Sequence, residues 1–240
     1  MGTRNRQATV HGATGAAALV LATLLAGCNP TRPAAPAAAT LPVTYAGTLT
    51  CASCTGIAYR ITLQLDGSYW YSQQYLGQKD GDGPVFREIG RVVESAGALE
   101  LHGTRDMVER WQRDGDALRR LDAPGTPVGA PLPGLLSRQP AVDASFGPVR
   151  VRGMFRYMAA VASFESCEAG VRYGVDGGDG FATLELEYSR SRHAPGAPML
   201  VAFTATLEPK PADAAGSPTW VRVDAFERTA PGARCGGSAR

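Results

Sequence analysis

The sequence predicts an all-β protein of two small antiparallel barrels. Three observations carry that reading. Short runs that alternate apolar and polar residues recur about every ten residues, the spacing of a meander that closes on itself. Glycine (29) and proline (17) are plentiful among the 240 residues, which suits many short strands joined by turns. The alternation breaks once, in the proline- and glycine-rich stretch 124–148, and then resumes, so the chain divides into two ordered halves.

The first half, taken as residues 43–138, opens near Val43. Ile61-Thr62-Leu63-Gln64-Leu65 has the period of a strand with one buried face. Asp66-Gly67 follows, the strongest short-range hairpin signal, and Ser68-Tyr69-Trp70-Tyr71 resumes a β-favouring aromatic run. Further strands are expected over 86–93, 98–101 and 107–111, and Asp114-Gly115-Asp116 turns the chain into another at 117–121. About seven strands result, enough to close a small barrel. Alternation places half of the cluster Tyr69, Trp70, Tyr71 and Tyr75 inside. There the rings would line a cavity for an apolar ligand or fill a small barrel by themselves.

Residues 139–148, with Pro140-Ala141-Val142-Asp143, read as a linker, and 149–240 as a second domain. Val149-Arg150-Val151-Arg152-Gly153 begins it, and 154–164 is predicted as strand throughout. Leu184 and Tyr188 have helical spacing within 181–188, which makes this the one expected helix. The runs 199–207 and 220–226 are clear strands. Strands around a single helix in about 90 residues suit a five-stranded barrel of the OB type.

Ahead of both domains stands a secretory leader, residues 1–27. Arg4 and Arg6 supply a basic start, 16–25 a short apolar core, and Leu25-Ala26-Gly27-Cys28 the small residues and cysteine of a bacterial lipoprotein cleavage point. The apolar run is about half the ~20 residues a spanning helix needs. Cys28 is therefore the expected lipidation site, and a palmitoylated, triacylated cysteine holds a protein firmly at a membrane. Residues 28–42, rich in proline and alanine, read as a semi-extended tether. Asn29, where an inner-membrane retention signal would have aspartate, points to the lipoprotein sorting machinery delivering the chain to the outer membrane, facing the periplasm.

A net charge of +2 and the lack of a basic cluster interleaved with aromatics argue against a nucleic-acid partner. No nucleophile elbow, His-Glu-x-x-His helix or phosphate-cradling loop is present, so no enzyme activity is expected. Four cysteines remain after Cys28: Cys51, Cys54, Cys167 and Cys235. An even number in an oxidising compartment reads as two disulfides. Of the three pairings, Cys51–Cys54 with Cys167–Cys235 keeps each bridge inside one domain. If reduced, Cys51 and Cys54 offer two soft thiolates that would select Cu(I), or zinc, as a cofactor. Only His102 and His193 stand in the mature chain to supplement them. Met154 and Met158 read as core filler more than as thioether ligands. Asp80-Gly81-Asp82-Gly83 and Asp176-Gly177-Gly178-Asp179-Gly180 read as turns, lacking the spacing of a calcium loop.

The surroundings of the first cysteine pair are more specific than the pair. Tyr45-Ala46-Gly47 precedes Thr50-Cys51-Ala52-Ser53-Cys54-Thr55-Gly56, and Asp66-Gly67, Tyr75-Leu76-Gly77 and Glu88-Ile89-Gly90-Arg91 follow in order. Arg152-Gly153-Met154-Phe155-Arg156-Tyr157, Ser163-Phe164-Glu165-Ser166-Cys167-Glu168-Ala169-Gly170 and Pro231-Gly232-Ala233-Arg234-Cys235 continue the series. It resembles the NlpE, or CutF, family of envelope lipoproteins over nearly all of the mature chain. The resemblance implies a lipocalin-like first barrel and an OB-like second one. It also implies envelope-stress and surface signalling, copper tolerance, and activation of a Cpx-type sensor kinase through its periplasmic domain. Within that family the Cys167–Cys235 bridge would report on oxidative folding. Thr50 and Ser53 replace the proline and aspartate common before the two cysteines, which removes a possible third metal ligand.

Overall fold

The computed structural model describes residues 40–105, 107–121, 134–191 and 194–236, and these form two closed barrels. In the first, β1 (Val43–Leu49), β2 (Gly56–Leu63), β3 (Ser68–Leu76), β4 (Phe86–Ser95), β5 (Ala98–His102), β6 (Glu109–Asp114), β7 (Ala117–Leu121) and β8 (Leu135–Arg138) follow one another as an antiparallel meander. β8 closes it by pairing Arg138 with Tyr45 and Ser137 with Ala46. The eighth strand is one more than the alternation showed, because its four residues are too few to establish a period. The strand expected over 107–111 begins only at Glu109. Met107, 77% exposed, lies in the preceding loop. At the Asp66-Gly67 hairpin, Ser68 donates from its amide and hydroxyl to Asp66 Oδ1 at 3.0 and 2.6 Å, an aspartate closing its own turn.

Side-chain alternation sorts β3 between two cores. Tyr69 and Tyr71 point into the first barrel with Tyr59 and Trp111, whereas Trp70 packs into the core of the second. The partner strand obeys the same rule. Glu88 and Gly90 face Tyr71 and Tyr69, and Ile89, opposite Trp70, joins the second core. Gly90 is required there: a Cβ would stand 2.2 Å from the His102 carbonyl oxygen and 2.7 Å from the Tyr69 ring.

The second barrel contains β9 (Phe146–Met158), β10 (Val161–Ser166), β11 (Arg172–Val175), β12 (Met199–Pro209) and β13 (Thr219–Ala230), in spatial order β10-β11-β13-β12-β9 with β9 paired again to β10. One pair, β11 with β13, is parallel, so this barrel is not wholly antiparallel. Parallel neighbours need a long crossover, supplied by α1 (Phe181–Arg190) and β12. Leu184 and Tyr188 are the buried residues of α1. Tyr188 meets Phe155 edge-on at 5.3 Å, and its hydroxyl donates to the Ala197 carbonyl at 2.6 Å. The stretch 154–164, expected as one strand, is instead a hairpin. Ala159 and Ala160 take φ of 50° and 63°, the left-handed pair of a two-residue turn, and Met158 pairs with Val161.

The barrels are joined by packing as well as by chain. Trp70 stacks on Phe146 with centroids 5.7 Å apart and planes 15° from parallel. Tyr173 of the second barrel is buried in one cluster with Trp70 and Ile89, and there burial, then the Asp66 carboxylate, raises its hydroxyl pKa. The connection between the barrels is stapled down by Asp143. Its carboxylate accepts two bonds from the Arg60 guanidinium and one from Thr62 Oγ1, and its amide donates to Thr44 Oγ1.

Candidate functional site

Among the described residues the most extensive ionic network lies inside the first barrel, and no motif announced it. Glu88 on β4 and Glu109 on β6 are 1% and 8% exposed. Arg105, from the β5–β6 loop, reaches between them. Its Nη2 and Nε donate to Glu88 Oε1 at 2.7 and 3.0 Å, and its Nη1 donates to Glu109 Oε1 at 2.6 Å. Thr104 ties the same loop down, with amide and hydroxyl both donating to Glu88 Oε2. Tyr69 and Tyr71 donate to Glu88 and Glu109 at 2.7 and 3.0 Å, and Trp111 Nε1 donates to Glu109 at 3.2 Å. Arg120 adds a bond to the Tyr59 hydroxyl at 2.6 Å.

Electrostatics follow from burial. Burial foremost raises the pKa of Tyr59, Tyr69 and Tyr71, with neighbouring carboxylates adding to it. Arg105 is also raised: burial opposes its charge, but the Glu88 hydrogen bonds and the surrounding negative groups outweigh that. Its guanidinium carbon sits 4.1 Å from the Tyr71 ring centroid. Tyr59 meets both Tyr71 and Trp111 edge-on at 5.9 Å. The aromatic side chains thus pack on one another and on a satisfied ionic network. The arrangement locks a loop across the barrel interior. A charged residue at an inward strand position, as at Glu88 opposite Tyr71, was the available sequence signal.

The cysteines pair as Cys51–Cys54 and Cys167–Cys235, with Cα atoms 5.3 and 5.1 Å apart. The first bridge lies in the β1–β2 loop, where Thr55 donates its amide to the Leu76 carbonyl at 2.9 Å. As a disulfide it presents no thiolate. Among the described residues no group of three or more His, Cys, Asp or Glu could hold a metal ion. Copper or zinc held here would require the reduced pair. The second bridge fixes the segment around Cys235 to the end of β10. Cys28 and His193 lie outside the described residues. His102 pairs with Glu100 at 3.2 Å.

Other motifs resolve simply. Met154 is half-buried, but Met158 is 59% exposed and is not core filler. Asp82 accepts the Gly77 amide at 2.8 Å, closing its own loop. The glycine-rich run 176–180 is pinned to β13, with Gly180 donating to the Val223 carbonyl at 3.0 Å. Tyr75, 40% exposed, leaves the aromatic cluster for the surface.

Comparison with known proteins gives a consistent answer. The NlpE N-terminal domain matches residues 45–130, and the NlpE C-terminal OB domain matches residues 145–236. Lipoprotein NlpE of Escherichia coli (strain K12) is 31% identical over 183 residues, 75% of each chain. Two solved structures are also similar. The Cpx pathway activator NlpE from Escherichia coli is 26% identical over 82% of this chain and all of that one, with a TM-score of 0.37. A Shewanella oneidensis chain described as a lipoprotein is 26% identical over 42% of this chain and 90% of that one, with a TM-score of 0.36.

Proposed function

Because this chain belongs to the NlpE family, we propose that it is an outer-membrane lipoprotein that reports envelope stress by touching a Cpx-type sensor kinase. The observation that carries this reading is sequence kinship spanning both domains, in the same order, with the Escherichia coli protein described as the Cpx pathway activator. In this scheme Cys28 is acylated and the sorting machinery normally parks the chain at the outer membrane. Failed sorting or altered folding leaves it beside the inner-membrane kinase, where the first barrel meets the periplasmic sensor domain. Location and contact change, and no reaction is needed.

Two secondary readings attach to the disulfides. Loss of Cys167–Cys235 would loosen the second barrel and signal failed oxidative folding. Reduction of Cys51–Cys54 would free the thiolates through which a copper-tolerance role would act.

The test is retention. Asn29→Asp should hold the lipoprotein at the inner membrane, raise output from a Cpx-dependent reporter several-fold, and allow crosslinking to the kinase's periplasmic domain. Reporter output equal to that of the parent, with the variant shown to reside at the inner membrane, would sink the proposal.

A further inference from the structure

A cleft of about 690 Å³ lies where the two barrels meet, and its lining is strongly one-signed. Arg87 and Arg91 of β4 contribute from the first barrel. Arg150 and Arg152 of β9 and Arg228 of β13 contribute from the second, and among the described residues Glu168 is the one acidic group in the lining. Arg152 reaches Glu168 at 3.4 Å and Arg150 is paired with Glu227 at 2.6 Å. Arg87, Arg91 and Arg228 have no ion-pair partner among the described residues. Cys167 and Gly236 also line the cleft, so the second disulfide forms part of its wall.

Three physical points narrow what such a cleft takes. Five guanidinium groups around one concavity, with only two of them facing a carboxylate, focus a positive potential that a bound anion relieves. The guanidinium fork matches phosphate and carboxylate oxygens with two parallel bonds. The volume lies within the range of about 300–1,000 Å³ typical of small-molecule sites, which suits a compact group better than a polymer. A phosphate monoester brings close to two charges and three acceptor oxygens on one centre, against a single charge for a carboxylate. The walls are held in place by Trp70 on Phe146 and by the Asp143 staple, so the site does not await a hinge.

We propose that the cleft between the barrels binds a compact phosphate-bearing anion, either a membrane headgroup or a soluble phosphate ester. This stands independently of the contact with a kinase. The test is calorimetric titration of the full mature lipoprotein in neutral detergent. The probes are inorganic pyrophosphate, dihexanoyl phosphatidic acid and dihexanoyl phosphatidylcholine. The double variant Arg91→Gln, Arg228→Gln removes one exposed arginine from each wall. The double variant Lys79→Gln, Arg172→Gln removes the same charge from outside the cleft.

Pyrophosphate should bind the parent and weaken with salt. The cleft variant should lose about tenfold in affinity while the control changes less than twofold. Competition by phosphatidic acid, but not by phosphatidylcholine, identifies a headgroup as the source. Pyrophosphate binding without lipid competition identifies a soluble ester. Either result supports the proposal. It is overturned if neither phosphate probe binds, if both double variants weaken binding equally, or if only polyglutamate binds, which would point to an acidic protein segment.

Discussion

Replacing Arg105 by methionine removes the one cation that bridges two buried carboxylates. Three charge-assisted hydrogen bonds donated by Arg105 disappear together, two to Glu88 and one to Glu109. Taking one partner from a buried ion pair costs about 3–5 kcal/mol, because the remaining charge is left uncompensated. Glu88 keeps neutral donors in Tyr69 and Thr104, and Glu109 keeps Tyr71, Trp111 and Arg120 at 3.5 Å. Those donors put the expected loss near the lower end, at about 3 kcal/mol. Urea unfolding followed by tryptophan fluorescence is the assay, since Trp111 sits within the network. The triple variant Arg105→Met, Glu88→Gln, Glu109→Gln should recover much of the loss, because the stranded charges are then gone. A loss below about 1 kcal/mol, or a triple variant no more stable than Arg105→Met, would refute the lock as an ionic device.

Three further outcomes are expected. Trp70→Ala should cost about 3–5 kcal/mol and uncouple the barrels, so that calorimetry shows two transitions in place of one; an unchanged thermogram would contradict the packing. Cys235→Ser should lower stability by about 4 kcal/mol on loop-entropy grounds, and Cys51→Ser by about half as much because its loop is far shorter; unfolding with and without reductant checks both. Burial raises the Glu168 carboxyl pKa above its ordinary 4.5, with Arg152 opposing. A raised carboxylate means that the folded state binds more protons, so its destabilising effect is present at neutral pH and vanishes as pH falls toward about 4.5. Glu168→Gln should therefore be more stable than the parent at pH 7, and the advantage should shrink in acid. A constant difference from pH 7 to pH 4.5 would remove Glu168 as the cause.

Local patterns were readable wherever one face of an element had a single environment. Leu184 and Tyr188 stood four apart because α1 buries one stripe, and Ile61 and Leu63 alternated with Arg60 and Thr62 because β2 turns one face to the barrel core and the other to the polar Asp143 staple. The hairpin at Ala159-Ala160 was not readable, since alanine carries no turn signal and the left-handed pair is imposed by Met158 and Val161 pairing across it. Trp70 looked like a member of one aromatic cluster, yet it belongs to the second barrel's core. Period two says which residues share a face; it does not say what covers that face.

Chain order alone therefore carried the two-barrel architecture, the expected leader and anchor, and the family. Each is written in neighbouring residues, as alternation, turn dipeptides or contiguous motif. The Arg105 lock, the stacking of Trp70 on Phe146 and the arginine cleft arose only on folding. Their members lie far apart in sequence or on faces whose partners are chosen by barrel closure, and Coulombic attraction and packing act through space regardless of the chain path.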